Sequence, residues 1–512
     1  MYKIFIALCM FVLMLNCAKQ KSAETYIPPK PSGKNGTELA HIYCASCHQF
    51  PEPNLLPKRI WKHSILPNMA SRLGMDPDYF KIYSKYNQEE LPIILEANIY
   101  PENPQIHQQD WQKIIDYYVE NAPENPIPQS KKEKITVTLA GFEVHKIYES
   151  AQKFPAVSFV KFDPASSQTC IAWRGENSYV KNYDRKFSII DSIPMKSPVA
   201  DILFRKESRE ILTLGIMDPN DLSKGELRTM DAKNNSQLIL DNLKRPVQVS
   251  YGDLNDDKVD DVLVCNFGNE IGNLTWFEGR NKKPHLLKSL PGARQTYIKD
   301  MNGDKRLDIV ALMTQAREGV SIFYNKGKGV FDEKQVLAFS SVYGSSHIDL
   351  VDFNKDGFMD IIYTNGDNAD LSISLKAFHG IRIFLNDTKN NFKQHYFFPM
   401  YGASKAIASD FDLDGDMDIA AISFFTDPKQ KPYEGFLMLT NQGANQFKVS
   451  TFKEANVGKW LVMDVADMDS DGDQDIVLGS FLNRGYLDLE DLKFKGVKPP
   501  SAIILENKRK NK

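Results

Sequence analysis

Residues 410–418 read Asp410-Phe-Asp412-Leu-Asp414-Gly415-Asp-Met-Asp418, and the apolar run Ile419-Ala-Ala-Ile422 follows at once. Oxygen-bearing side chains stand at positions 1, 3, 5 and 9. The same phrase occurs four more times. Its oxygen positions are Asp253, Asn255, Asp257 and Asp261; Asp300, Asn302, Asp304 and Asp308; Asp352, Asn354, Asp356 and Asp360; and Asp467, Asp469, Asp471 and Asp475. A turn gathers the first three side chains about one point, and the fourth closes the shell from the next strand. Hard oxygen donors at this density suit Ca²⁺. An EF-hand needs Glu at position 12 and flanking helices, and the phrase has neither. One copy alone reads as an Asp/Asn/Gly turn without metal. Five copies in register favour metal, with up to five Ca²⁺.

Working outward, each phrase is flanked by strand-like runs. Alternating residues such as 295–299 precede it, and apolar runs such as Ile361-Ile362-Tyr363 and Ile476-Val477-Leu478 follow. A further strand comes next, as at 319–324. The repeat is about fifty residues long, the length of one four-stranded propeller blade. Two earlier segments, 156–163 and 198–205, keep the apolar pattern without the carboxylates. Counting them predicts an all-β propeller of seven blades over residues 135–508. Either 135–138 or 143–146 can pair with 501–505 and close the ring, removing exposed edges. The repeats resemble the VCBS/FG-GAP family, the calcium-loop propellers also found in integrin α chains. That resemblance implies a domain that binds or scaffolds.

Where the innermost strands begin, the sequence places Arg245, Arg294, His347, Lys405, and Lys459 with Trp460. The plain reading is solvated strand ends. The sharper reading is a basic rim that takes an anionic ligand at the propeller mouth, opposite the Asp-rich loops. An insertion runs from Asn365 to Arg382. It reads as decoration of a face, with His379 and Arg382 as its candidates for chemistry.

Nearer the N-terminus stands Cys44-Ala-Ser-Cys47-His48. Two thiols at this spacing can add to the two vinyl groups of one haem, and the next residue places an imidazole under the iron. A thioredoxin-like pair wants a strand–helix context, and a zinc site wants a second Cys or His pair nearby. Neither is found. A helix at about 35–46 leads into the motif. A second, at 109–118, carries Trp111, Ile114, Ile115 and Tyr118 on one face and ends at Ala122-Pro123. These surroundings resemble a class I cytochrome c. The resemblance implies a small all-α domain over 35–127 holding one covalent haem c, with His48 and a Met as iron ligands. Met69, after Leu66-Pro67-Asn68 on a loop, is the first candidate. Met75, His63, His107 and an open position are the alternatives.

Residues 1–16 combine Lys3 with an apolar run too short to span a bilayer, as in a signal peptide. Cys17 follows in a setting that resembles a lipoprotein signal, and 17–34 reads as a polar tether. Export to the periplasm or outer membrane with a lipid anchor at Cys17 is expected. Cys170 and Cys265 read as buried free thiols, with a disulfide as the alternative. The chain has 512 residues and a net charge of -3, which implies no nucleic-acid partner.

As a whole, the chain resembles bacterial lipoproteins that join a cytochrome c to a calcium-loop propeller. Three functions follow. The first is electron transfer to a periplasmic or membrane redox partner, with the propeller docking a partner or ligand. The second is a dehydrogenase or oxidase with its substrate in the propeller and the haem as electron acceptor. The third is calcium-dependent adhesion or glycan binding. The sequence leaves enzymatic activity open between them.

Overall fold

The structure is a computed structural model. It describes residues 26–509 apart from 77, 150–153, 176, 316, 369–371, 444–445 and 483–497. The expected signal peptide and Cys17 lie outside the described residues.

Seven sheets of four or more strands follow the chain as blades. Blade I spans 157–195, II 199–243, III 246–288, IV 293–338, V 345–399, VI 403–451 and VII 460–507. Within blades I to V the strands pair antiparallel in chain order. The carboxylate-free segments supply the first strands of blades I and II, Val157–Asp163 and Val199–Phe204. First strands of neighbouring blades touch one another, so they ring the central channel. Second strands such as Asp308–Met313 and Asp360–Asn365 are buried throughout. Fourth strands such as Phe331–Ala338 are largely exposed, which accounts for their charged residues.

Ring closure uses the second of the two candidate segments. Phe142–Ile147 pairs antiparallel with Ala502–Asn507 and forms the outermost strand of blade VII. Thr136–Val137 instead adds a parallel strand to the outer edge of blade VI. The first and last segments of the propeller therefore complete one sheet, which closes the ring.

The Asp-rich phrases form the connections between first and second strands in blades III to VII. Position 9 is buried in all five: Asp261, Asp308, Asp360 and Asp418 at 0 % exposure and Asp475 at 1 %. One carboxylate oxygen accepts the backbone N–H of position 2, at 2.8–3.1 Å. The other accepts a backbone N–H at the end of the third strand: Gly279, Asn325, Asn386, Asn441 or Asn507, at 2.7–2.8 Å. Three of the junctions gain a further tie across blades. Asn325 donates to Leu254 O, Asn390 to Met301 O and Asn507 to Phe411 O. The position 1 carboxylate accepts the backbone N–H of position 6 in every loop. That turn holds position 6 at positive φ, where Gly357, Gly415 and Gly472 are at ease and Lys258 and Lys305 are strained.

The chain before the propeller folds into α1 (Gly36–Cys44), α2 (Leu66–Arg72), α3 (Tyr79–Tyr83), α4 (Leu91–Ala97) and α5 (Gln108–Asn121). Asn35 and Glu38 form a capping box at the start of α1. A Cβ on Gly36 would lie 2.4 Å from Lys113 O, so α1 and α5 cross at closest approach there. Asp110, buried at the crossing, accepts the Ser32 N–H at 2.7 Å and pairs with Lys113.

Asp308→Ala leaves two backbone N–H groups of blade IV unpaired, each worth about 1–3 kcal/mol when buried. The expected outcome is a lower apparent Tm by circular dichroism, with Asp308→Asn intermediate because one carbonyl acceptor remains. An unchanged Tm in Asp308→Ala would remove the staple from the account.

Candidate functional site

Connections from second to third strands, and from each fourth strand to the next blade, lie on the face opposite the Asp-rich loops. The helical unit sits on that face. Gln49 bridges Ser340, between blades IV and V. Val342 and Phe378 join the helical core of Leu39, Trp61, Ile114 and Tyr118. Glu90 accepts the Asp221 N–H at 2.9 Å, in blade II. The strongest contact is Glu270 of blade III. It receives Arg72 at 2.5 Å, the hydroxyls of Tyr86 and Tyr100 at 3.1 Å each, and Lys85 at 3.6 Å. Burial pushes the Glu270 carboxyl up, but Arg72, Lys85 and the tyrosine outweigh it and hold it below the ordinary range.

Cys44 closes α1, and both Cys44 and Cys47 are free thiols. Burial pushes Cys44 up to about 11, so it is protonated, while Cys47 is exposed. His48 Nδ1 stands 3.0 Å from Gln49 O, and burial holds its imidazole below the usual range. Met69 and Met75 both pack against the apolar cluster that includes Cys44. Met69 lies in α2 instead of on a loop. Pro67 sits in the first turn of that helix, where a missing N–H is tolerated. The turn before it, Trp61–Ile65, is a π-helix, because Pro67 cannot supply the i→i−4 bond there. Met75 lines a cleft of about 280 Å³ with Leu66, Ala70, Trp111 and Ile115. Of the histidine alternatives, His107 caps α5 by accepting the Gln109 N–H, and His63 is exposed.

The five loops differ in their third position. In blades III to V it is Asn, and its amide donates inside the loop: Asn255 to Asp261, Asn302 to Asp304, Asn354 to Asp356. Arg280 also pairs with Asp257. In blades VI and VII it is Asp. There Asp410, Asp412 and Asp418, and Asp467, Asp469 and Asp475, bring oxygens within 4.8 Å of one another. Asp473, at position 7, is 1 % exposed with neither oxygen paired, and Asp412 Oδ1 is also unpaired. Burial and neighbouring carboxylates push Asp418 and Asp473 up to about 7 and Asp475 to about 6. Arg509 acts on Asp412 and Lys508 on Asp469 from a distance, and Lys355 pairs with Asp416, yet the buried carboxylates stay raised, and a hard divalent cation fits the donor set.

The channel is lined by polar side chains with a structural task. Each first strand carries a bulge at its second residue. Beyond it, Asp201 accepts Val249 N–H, Gln248 accepts Thr296 N–H, Gln295 accepts Ile348 N–H, Asp349 accepts Ala408 N–H and Asp464 accepts Phe162 N–H. Lys161 donates to Ile202 O. Side chains of one blade thus satisfy the inner backbone edge of the next.

The predicted basic rim is only partly assembled. Arg294, His347 and Lys405 lie close enough to act on one another electrostatically. Arg245 binds Met217 O and Gly268 O, Lys459 lies over Phe424, and Trp460 is buried core. His379 and Arg382 are buried at the base of the insertion, Arg382 over the Phe397 ring, and not displayed on a face. Cys170 and Cys265 are buried free thiols in separate blades.

Residues 300–363 match the model of the FG-GAP-like repeat. They cover the loop of blade IV through the second strand of blade V. A search of curated proteins returns no match. Among solved structures, the Neurospora crassa Pan2 WD40 domain aligns at 11% identity and a TM-score of 0.44, covering 74% of this chain and 99% of that one. Dihydro-haem d1 dehydrogenase NirN in complex with DHE aligns at 13% identity and 0.38, covering 88% and 82%.

Glu270→Gln should loosen the helical unit on the propeller, by on the order of 1 kcal/mol because Arg72 is partly solvated. A carboxyl held below its ordinary 4.5 contributes stability at neutral pH and loses it as pH falls through its lowered folded value. Limited proteolysis of the link at 122–134 should therefore accelerate below pH 4.5 in the wild type. It should already be faster at pH 7 in Glu270→Gln. Equal rates at both pH values in both proteins would exclude Glu270 as the anchor.

Proposed function

We propose that this chain is an exported haem-c electron-transfer protein whose propeller, braced by calcium, is its docking and ligand-binding half. The observation that carries the reading is the donor set at the end of α1. Two free thiols and an imidazole stand within five residues, beside an apolar cluster that holds two methionines and touches the propeller. Cys44 and Cys47 would hold the haem by thioether bonds, with His48 and either Met69 or Met75 as iron ligands. The group supplies one-electron transfer when bound. A signal peptide over 1–16, a lipid on Cys17 and the tether to residue 34 belong to the same reading. They place the protein at the periplasmic or outer-membrane surface, facing a redox partner.

Calcium is assigned first to the loops of blades VI and VII, where unpaired carboxylates converge. The loops of blades III to V are weaker candidates, because their Asn amides and Arg280 already engage the ligand oxygens. A second reading, substrate oxidation in the propeller with the haem as acceptor, is favoured by one observation. The helical unit touches blades II to V on the face where this channel mouth opens, and Arg294 and Lys405 at that mouth have no carboxylate in contact among the described residues.

Expressed with haem-attachment machinery, the wild type should carry haem that survives denaturing electrophoresis, and Cys44→Ala or Cys47→Ala should weaken or abolish the stain. A full stain in both variants overturns the haem assignment. Replacing Met69 or Met75 by Leu should remove the weak far-red band of sulfur-ligated oxidised haem in one variant only, which identifies the ligand.

Calcium should raise the apparent Tm, because each site stabilises the folded state by about 2.7 kcal/mol at a hundredfold excess over Kd. Asp412→Ala and Asp473→Asn should shrink that rise, and Asn302→Ala should change it little. A Tm indifferent to millimolar calcium and excess EGTA would show that the loops are turns only.

A further inference from the structure

Six of the seven blade junctions in the channel are tied by a polar side chain bonded to the next blade's backbone. The junction from blade VI to blade VII is the exception. Where blades II, III and IV place Asp201, Gln248 and Gln295, blade VI places Lys405, and two residues on it has Ile407. Lys405 has no hydrogen-bond or ion-pair partner among the described residues. Asp464 and Asp349 act on it only at longer range.

Beside it in blade V stands His347. Its Nδ1 is buried without a partner, and its Nε2 lies 3.4 Å from Gln295 Nε2. Burial, then Lys405 and Arg294, hold His347 well below the usual imidazole range, so it is neutral and offers one N–H. Arg294 of blade IV is reached by channel solvent. It commits Nε to Ser346 O at 3.3 Å and leaves both Nη groups unused among the described residues, with Asp367 the carboxylate that acts on it from a distance. Three donor groups of positive or neutral charge, unused among the described residues, thus share the channel end opposite the Asp-rich loops.

We infer that this mouth binds one small oxyanion, the carboxylate or phosphate group of a small solute, through Arg294, His347 and Lys405. The inference deepens the ligand-binding half of the proposed function and needs no haem. A guanidinium offers a planar fork that matches either oxyanion, and Lys405 adds a point charge. First strands of neighbouring blades touch one another around the channel, which limits the ligand to a small solute.

Titration calorimetry of the full haem-loaded chain at low ionic strength tests this with acetate, succinate, citrate and inorganic phosphate. One saturable site is expected. Its preference between the carboxylates and phosphate names the class of solute. Lys405→Met and Arg294→Gln should each weaken it on the order of tenfold. Lys405→Arg should keep it, which guards against a folding defect in Lys405→Met. Lys459→Met, off the channel, should leave it unchanged. The Cys44→Ala/Cys47→Ala protein should bind the same anion, so a failed haem assignment and a failed anion site are told apart. No saturable binding of any of the four anions at millimolar concentration, or binding indifferent to both Lys405→Met and Arg294→Gln, would overturn the inference.

Discussion

A buried carboxylate with no basic partner is expensive, and this protein installs one in five successive blades. Asp261, Asp308, Asp360, Asp418 and Asp475 are tolerated because each accepts two backbone N–H groups, one from its own loop and one from the third strand of its sheet. The bond pair fixes the loop, the start of the second strand and the end of the third strand at once. Register in each blade therefore follows from one residue. Positions 1 and 6 then follow, since the loop must turn through a left-handed residue to bring its first carboxylate round. Whatever binds the loops from outside meets a framework already set by these bonds.

The same accounting governs the inner edge of the ring. First strands face the channel with unpaired backbone groups, which water or side chains must satisfy. Asp, Gln and Lys side chains take this role at most junctions, so polarity in the channel is first a structural fact. Only what is left over after that accounting bears on ligands. Blade VI, with Lys405 and Ile407, contributes nothing to the ring of ties, and its charge sits next to His347 and Arg294.

Much of the architecture was legible in the sequence, for a physical reason. Asp-rich phrases recur at the spacing of a blade, and Val157–Asp163 and Val199–Phe204 keep the apolar alternation of a first strand without the carboxylates. Closure by 143–146 was one of two readings, because both candidate segments alternate. The third-strand Asn residues at 325, 386, 441 and 507 form a second repeat in register with the Asp-rich phrases. Other features needed three dimensions. Arg245 and Lys459 stand one residue before their strands, whereas Arg294 and Lys405 are the second and third residues of theirs, so the former reach carbonyls and a ring instead. Glu270 looks like any loop glutamate until Arg72, Lys85, Tyr86 and Tyr100 arrive from a segment some two hundred residues earlier. Met69 belongs to a helix because Pro67 is as good in a first turn as in a loop.

These constraints meet where the helical unit rests on the propeller. Glu270 anchors one side and the Gln49–Ser340 bridge the other, so the loop bearing Cys44, Cys47 and His48 is held against the links of blades IV and V. The redox centre proposed for this junction would lie between α1 and the link of blades IV and V. An anomalous difference map from crystals of the protein expressed with haem-attachment machinery, collected at the iron edge, tests it most directly. The account predicts one strong peak beside His48, between α1 and the Ser340 link. A map with no iron peak, or with iron only at the Asp-rich loops on the opposite face, would contradict it.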